Sequence, residues 1–130
     1  MSMERNANRV VDVRLDKLGR ALGLEMQRRL MDKTPVDTGR ARGNWNASIG
    51  EPDFTTSETT SAAATIAKAS AVVRGFELSE GASFYVSNGL PYIERLEEGY
   101  SAQAPNGMVR VTVAELKPLA ERIGASLNRG

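Results

Sequence analysis

Three glutamates form the densest group of side chains that could transfer protons. Glu94, Glu97 and Glu98 fall within one turn of a predicted short helix, where Glu94 shares a face with either of the others. Paired carboxylates of this kind can do acid–base work or bind a cation. Arg95 is interleaved with them, however, and charge runs on short helices usually form a solvated face. A hydrolase therefore stays an alternative for which the sequence suggests no substrate.

The residue types that are absent exclude most other chemistry. The chain contains neither histidine nor cysteine, so it has no His-dependent triad, no imidazole or thiolate metal ligand and no cysteine nucleophile. The glycines of residues 39–43 open a predicted strand and lack the Lys-Ser/Thr pair of a phosphate loop. We therefore predict that the protein is not an enzyme and has no cofactor and no metal site.

Four arginines make a candidate surface for DNA or for the lumen of a ring. Arg40 and Arg42 lie on one face of a predicted strand, and Arg28 and Arg29 end the helix before it. Such a patch can contact phosphates, or it can pair with acidic groups of a neighbouring subunit. The whole chain carries 17 basic and 16 acidic side chains, far from the strong positive charge of proteins that coat nucleic acid. A small DNA-binding module is the rival hypothesis from a different class.

Hydrophobic periodicity predicts a single α+β domain over residues 1–130. A flexible arm is expected over residues 1–9, and a helix over residues 10–31. A strict alternation then predicts a strand over residues 40–49, and the polar residues 50–60 are expected to form a mobile loop.

The second half of the chain adds a helix over residues 61–76, a short strand over 83–87 and a short helix over 91–98. A C-terminal helix is expected from about Asn106, with a kink or an end at Pro118. We expect a small, mostly antiparallel sheet packed by the N- and C-terminal helices. The residues predicted to form the core are Leu22, Met26, Trp45, Val86, Leu96 and Leu116.

The composition bears on partners and location. Only 5% of the residues are aromatic, so the core is modest and neighbouring subunits are expected to supply part of the burial. The first nine residues do not form a secretory signal, and no apolar run approaches the roughly 20 residues that span a bilayer. We therefore expect the protein to be made in a cytoplasm and not to associate with a membrane.

Two segments resemble the tail-component family of tailed bacteriophages. Residues 34–50 contain a Thr-Pro-Val-Asp-Thr-Gly turn that leads into a predicted strand. Residues 87–116 contain Asn-x-x-Pro-Tyr, Leu-Glu-x-Gly-x-Ser and Gln-Ala-Pro-x-Gly-Met in that order, before the C-terminal helix. The similarity covers roughly half of the chain by direct motif. The matching positions are 34–39, Asn88, Pro91, Tyr92, Leu96, Glu97, Gly99, Ser101, Gln103, Ala104, Pro105, Gly107 and Met108.

The resemblance implies a structural virion protein of the neck and tail, made in the cytoplasm of a bacterial host. Proteins of this family act as tail terminators or tail-completion proteins. The resemblance therefore implies that the chain binds no cofactor and catalyses no reaction. They form a ring, typically a hexamer, that caps the tail tube protein and docks to the head–tail connector or stopper protein. DNA passes through the lumen without specific recognition. A connector or stopper ring nearer to the head is the alternative within this class.

The contacts between subunits or with partners are expected in three places. These are the N-terminal arm, the loop of residues 51–60 and the motif of residues 92–108. The candidate interface residues are Asp53, Phe54, Tyr92, Glu97, Tyr100, Gln103, Pro105 and Met108.

Overall fold

A computed structural model describes the backbone of residues 3–36, 39–99, 103–104 and 106–128, and within these ranges the side chains of residues 15–126. The elements in chain order are α1 (Met3–Lys33), α2 (Arg40–Gly43), β1 (Asn46–Ile49), α3 (Ala62–Arg74), a 3₁₀ turn (Leu78–Glu80), β2 (Phe84–Ser87), α4 (Ile93–Glu97) and α5 (Val109–Asn128). The predicted α+β class is confirmed. Each of the two strands has only four residues, so helices must supply most of the packing.

The two strands form one antiparallel ribbon. Asn46 pairs with Ser87 and Ile49 with Phe84, and the ladder extends by one bond from Gly50 N to Ser83 O at 2.9 Å. A two-stranded ribbon is at best marginally stable by itself in water. Here α3 packs on β1, α1 packs on β2, and α5 lies along α1. The long first helix is therefore the element that joins the other parts.

The start of α1 differs from the prediction. The helix begins at Met3, so the predicted start of this helix at residue 10 is wrong. Hydrophobic periodicity detects only the helix turns that bury one face, and residues 3–9 carry no such pattern. The interface predicted in this arm concerns side chains that lie outside the described residues.

The predicted strand over residues 40–49 is wrong in its first half. Residues 40–43 form the single turn α2, which closes with a bond from Gly43 N to Gly39 O at 3.0 Å. Gly39 precedes it with a φ of +74°, a conformation that favours glycine. A single helical turn is too short to show a helical period, so the alternation of small and basic residues resembled a strand.

The hydrophobic core lies between the last turns of α1, the residue before β1 and the segment that leads into α5. Its fully buried members are Leu30, Met31, Trp45, Ala104 and Met108. Among the predicted core residues, Trp45 is confirmed, and Met26, Val86 and Leu96 pack against this cluster from its edge. Leu22 and Leu116 are only partly buried and line a groove instead.

The end of α1 is fixed by a chain of hydrogen bonds through one hydroxyl. Thr34 Oγ1 donates to Leu30 O at 2.6 Å and accepts from the indole nitrogen of Trp45 at 2.8 Å. Pro35 follows and cannot continue the helix. The Thr-Pro pair therefore ends α1 and attaches the only tryptophan of the chain to that end.

The C-terminal helix runs without interruption from Val109 to Asn128 and contains Pro118. The alternative that Pro118 ends its first half is therefore wrong. None of the helices described combines the length and the apolar character that a bilayer crossing requires.

Candidate functional site

Residues 51–61, named here the Phe54 loop, have no regular secondary structure but follow a path set by two asparagines. Asn46 Nδ2 donates to the carbonyl oxygens of Asp53 at 3.0 Å and Thr55 at 2.7 Å. Asn44, which is buried, donates to Ser57 O at 3.1 Å and accepts from Ser57 N at 2.8 Å. These bonds attach the loop, which was predicted to be mobile, to the start of β1.

Asp53 and Phe54, two of the predicted interface residues, lie at the first bend of this loop. The Asp53 carboxylate accepts from Thr55 Oγ1 at 2.7 Å and from Thr55 N at 3.0 Å. The Thr55 hydroxyl is the largest influence on the pKa of Asp53 and holds it below its usual range. Phe54 projects beside this turn with 64% of its surface exposed, more than any other large hydrophobic residue described. An exposed aromatic ring on an anchored loop suits a protein contact.

A small cleft separates the Phe54 loop from α3. Its volume is about 180 Å³, and its lining includes Trp45, Asp53, Thr59, Lys68 and Ala69. Pockets that enclose small-molecule ligands usually measure about 300–1,000 Å³. The cleft is thus small for a substrate, and its one carboxylate is already bonded to Thr55.

Glu97, another predicted interface residue, caps the start of α5. Its Oε1 accepts from the backbone nitrogens of Met108 and Val109, both at 2.7 Å, and its Oε2 accepts from Arg110 N at 3.0 Å. The positive end of the helix dipole favours a carboxylate here. Arg110 Nη2 also donates to Glu97 O at 2.8 Å. This arrangement replaces the cap that was predicted from Asn106.

The ionisation of Glu97 follows from this geometry. Burial is the largest single influence and by itself raises the pKa of the carboxyl group. The backbone N–H donors of Val109, Arg110 and Met108 and the charge of Arg110 together outweigh burial, so the pKa of Glu97 lies below its usual range. The side chain is therefore charged at neutral pH and joins α4 to α5 within the chain.

Two further candidate interface residues of the 92–108 motif, Met108 and Gln103, also contribute to the framework. Met108 is 0% exposed, so its assignment to an interface is corrected: it lies in the core. Gln103 Oε1 accepts from Val36 N at 2.9 Å and ties this segment to the turn after α1. Tyr92 is half-buried at the start of α4. Tyr100 and Pro105 lie outside the described residues.

The glutamates considered for catalysis are divided by this cap. Glu94 and Glu98 are exposed, whereas both oxygens of Glu97 receive backbone bonds. Within the described ranges, no group of three or more acidic side chains is placed to hold a metal ion. A hydrolase that uses Glu97 as a proton donor or acceptor would have to break the cap of α5.

Arg40 and Arg42 do not share the strand face that was predicted for them. Residues 40 and 42 belong to α2, where a separation of two positions turns side chains about 200° apart around the axis. Arg42 Nη2 donates to Thr34 O at 3.1 Å, near the carbonyl end of α1. Arg40 lies 3.2 Å from Glu58, which is 89% exposed, so this pair contributes little to stability.

The other two arginines lie on α1. Arg29 contacts Glu25 at 3.2 Å and Glu115 at 3.1 Å, and Lys33 reaches the same Glu115 oxygen at 2.6 Å. The hydrogen bond from Lys33 is the largest influence on the pKa of Glu115 and lowers it. Arg28 is exposed and makes no hydrogen bond or ion pair with another described residue. Of the four arginines, Arg28 is thus the one whose guanidinium group is available to contact a phosphate, as the sequence predicted.

An open apolar groove, named here the α1–α5 groove, was not predicted from the sequence. It has a volume of about 570 Å³ and lies between α1, α5 and the segment that enters β2. Lys117 is the one charged residue in its lining, whose apolar walls include Leu22, Met26, Phe84, Leu116 and Ala120. Leu22 and Leu116 were predicted to lie in the core. The prediction could not separate core from groove, because an apolar helix face has the same sequence period whether it is fully or only partly buried.

Comparison of the chain with protein-family models, with curated proteins and with solved structures finds no match.

Proposed function

We propose that the protein is a structural subunit of the neck of a tailed bacteriophage, a tail terminator or tail-completion protein that assembles into a ring. The sequence resemblance supplies the class of protein. The observation that carries the assembly role is the exposure of Phe54, which is 64% exposed on a loop that Asn44 and Asn46 hold in place. Neither feature calls for a bound cofactor or a reaction.

The motif residues stabilise the fold and most of the loop residues are exposed, and this difference supports the proposal. Glu97 and Met108 stabilise the fold, as the cap of α5 and as part of its core. Thr34 and Trp45 do the same at the end of α1. Residues that a whole family needs for its fold recur in such motifs, whereas contacts with particular partners belong to the loops between them. The Phe54 loop is such a segment.

The two apolar surfaces of the chain support a ring in preference to a two-fold dimer. Phe54 and the α1–α5 groove are separate, differently shaped surfaces. A contact between unlike surfaces is heterologous, and repeated copies of it close into a ring when the rotation between copies permits. In the proposed assembly, the ring is a hexamer that caps the tail tube protein and docks to the connector or stopper protein. DNA passes through its lumen, and Arg28 is the candidate for a non-specific phosphate contact.

The alternative of a DNA-binding module has less support from the side chains. It required Arg28, Arg29, Arg40 and Arg42 to act together, and three of these four guanidinium groups are bonded within the chain. A phosphate contact would first have to displace those partners.

Imaging of phage particles that contain this protein tests the proposed function. Cryo-electron microscopy is expected to locate it as a sixfold ring between the tail tube and the connector. A twelvefold ring against the portal would replace the terminator role by that of a connector. Absence of the protein from the particle would overturn the structural role altogether.

A further inference from the structure

We infer that neighbouring copies of this chain join head to tail, with Phe54 of one copy inserted into the α1–α5 groove of the next. The inference rests on the proposed ring function and names the contact by which the ring is built. It assigns a protruding part to one surface of the subunit and a receiving part to another.

The protruding part is preorganised. Asn46 holds the carbonyl oxygens on both sides of Phe54, those of Asp53 and Thr55, at 3.0 and 2.7 Å. On the other side, the backbone of Phe54 lies so close to Gly89 that a Cβ atom at Gly89 would overlap the Phe54 carbonyl oxygen. The loop is therefore fixed on both sides of the ring, and little conformational entropy remains to be lost when the ring is buried.

The receiving part has the character of an anchor pocket. Its volume of about 570 Å³ is open to solvent, and leucine, methionine, alanine and phenylalanine side chains make up most of its walls. The ring of Phe84 forms one wall and packs at 5.4 Å, centroid to centroid, against the ring of Phe76. A phenylalanine that enters such a pocket buries about 150–250 Å² of surface. Pockets of this kind are where interfaces gain most of their energy.

The Phe54 loop cannot occupy the groove of its own chain. Phe54 contacts Gly89, which lies two residues beyond the end of β2, whereas Phe84, the first residue of β2, lines the groove. The strand alone, from its first to its last residue, spans about 10 Å between these two points. Phe54 thus lies outside the groove of its own chain, and a Phe54 ring that fills the groove comes from a second copy.

Charge favours a second copy as the occupant of the groove. The Phe54 loop carries Glu51, Asp53 and Glu58 and has no lysine or arginine. The groove has Lys117 as the one charged residue in its lining. An acidic loop with an aromatic tip thus meets an apolar groove that carries one lysine, and opposite charges at an interface favour encounter and the correct orientation.

Two single variants and their mixture test the contact. Phe54→Asp removes the protruding ring, and Ala120→Arg fills the groove, while each leaves the other surface intact. Each variant alone is expected to weaken self-association, measured by analytical ultracentrifugation, by about thirtyfold or more. An equimolar mixture is expected to form a one-to-one dimer, because the groove of Phe54→Asp can still accept Phe54 of Ala120→Arg. Circular dichroism and thermal melting show that each variant is folded.

Val113→Asp provides a matched control. Val113 is 61% exposed on α5 and does not line the groove, so this variant is expected to assemble as the wild type does. Three results would overturn the inference: wild-type chain that stays monomeric, either contact variant assembling normally, or a mixture that forms no dimer. A sixfold ring seen in particles of the Phe54→Asp variant would leave the proposed function standing and remove only this contact. Absence of the protein from wild-type particles would remove the function instead.

Discussion

A Cβ atom placed on Gly19 would lie 2.9 Å from Cε2 of Phe76. One turn further along α1, a Cβ atom on Gly23 would lie 3.1 Å from Cε1 of Phe84. The first separation is shorter than real Cβ atoms show, and the second is tight enough that the ring would have to shift by a few tenths of an ångström. The two glycines, spaced by four, therefore admit the two aromatic rings against the surface of α1. Two glycines spaced by four leave a face of α1 open to close approach, and here the approaching groups are side chains.

Gly19→Ala is expected to destabilise the protein by about 1–3 kcal/mol, because Phe76 must move away from α1. Helix propensity alone would make this substitution stabilising by about 1 kcal/mol. Gly124→Ala is the matched control, since no atom lies within 4 Å of a Cβ at that position of α5, and it is expected to stabilise. Urea unfolding followed by circular dichroism measures both. Equal stabilisation by the two substitutions would mean that Phe76 does not constrain α1.

Glu97→Gln is expected to lower the free energy of unfolding at pH 7 by about 1–2 kcal/mol. The substitution keeps the shape of the side chain but removes the charge that faces the start of α5 and weakens the bonds from Met108, Val109 and Arg110. Glu98→Gln is the control, because Glu98 is exposed, and it is expected to change stability by less than about 0.5 kcal/mol. A loss of the same size in both variants would show that the cap contributes nothing specific.

The contribution of Glu97 is also expected to depend on pH. Its pKa in the folded chain lies below the usual value, and the pKa of an unfolded glutamate is about 4.3. The stability it provides is thus fully present above the unfolded pKa and is lost as the pH falls through the folded pKa. Asp53 and Glu115 have lowered pKa values as well, so the difference between wild type and Glu97→Gln isolates the effect. That difference, measured by thermal melting from pH 7 to pH 3, is expected to shrink in acid.

Most elements could be predicted because their periodicity reflects burial. The short β-run at Phe84–Ser87 and the helical spacing at Ala62–Arg74 and Val109–Asn128 belong to segments that pack against the rest of the chain. The strand predicted at residues 40–43 was wrong because burial there leaves no period in the sequence. Ala41 and Gly43 are buried in one turn that is too short to have a period.

The candidate site was harder to predict, because a side chain's partner decides its role. Glu97 and Arg42 look like surface charges in the sequence, but one caps α5 and the other binds the carbonyl end of α1. Nothing local to these residues shows the backbone groups they bind, since those groups are about ten positions away in the sequence. Phe54, in contrast, was predicted as an interface residue from its place in a polar loop and proves to be exposed.

Thr34→Val is expected to destabilise the protein by about 1–3 kcal/mol. The substitution keeps the volume but removes the acceptor for the Trp45 indole nitrogen, now bonded at 2.8 Å, and leaves that N–H buried without its bond. Thr34→Ser retains the hydroxyl group and is expected to lose less. Because Trp45 is the one tryptophan of the chain, its fluorescence during urea unfolding reports on this contact directly. Equal stability of the valine and serine variants would contradict the role of the hydroxyl.

Asn46→Ala is expected to loosen the Phe54 loop with little change in overall stability. The side chain bonds to two carbonyl oxygens in an exposed part of the loop, so the cost in unfolding free energy is about 1 kcal/mol. Hydrogen–deuterium exchange of residues 53–57 should become faster, while exchange in the core helices stays unchanged. Because a mobile Phe54 must be ordered before it can bind, self-association is expected to weaken as well. Ser48→Ala, which removes a bond to Glu51 at the edge of the same loop, is the control. An Asn46→Ala variant with a faster-exchanging loop and unchanged assembly would show that anchoring of Phe54 does not contribute to the contact between subunits.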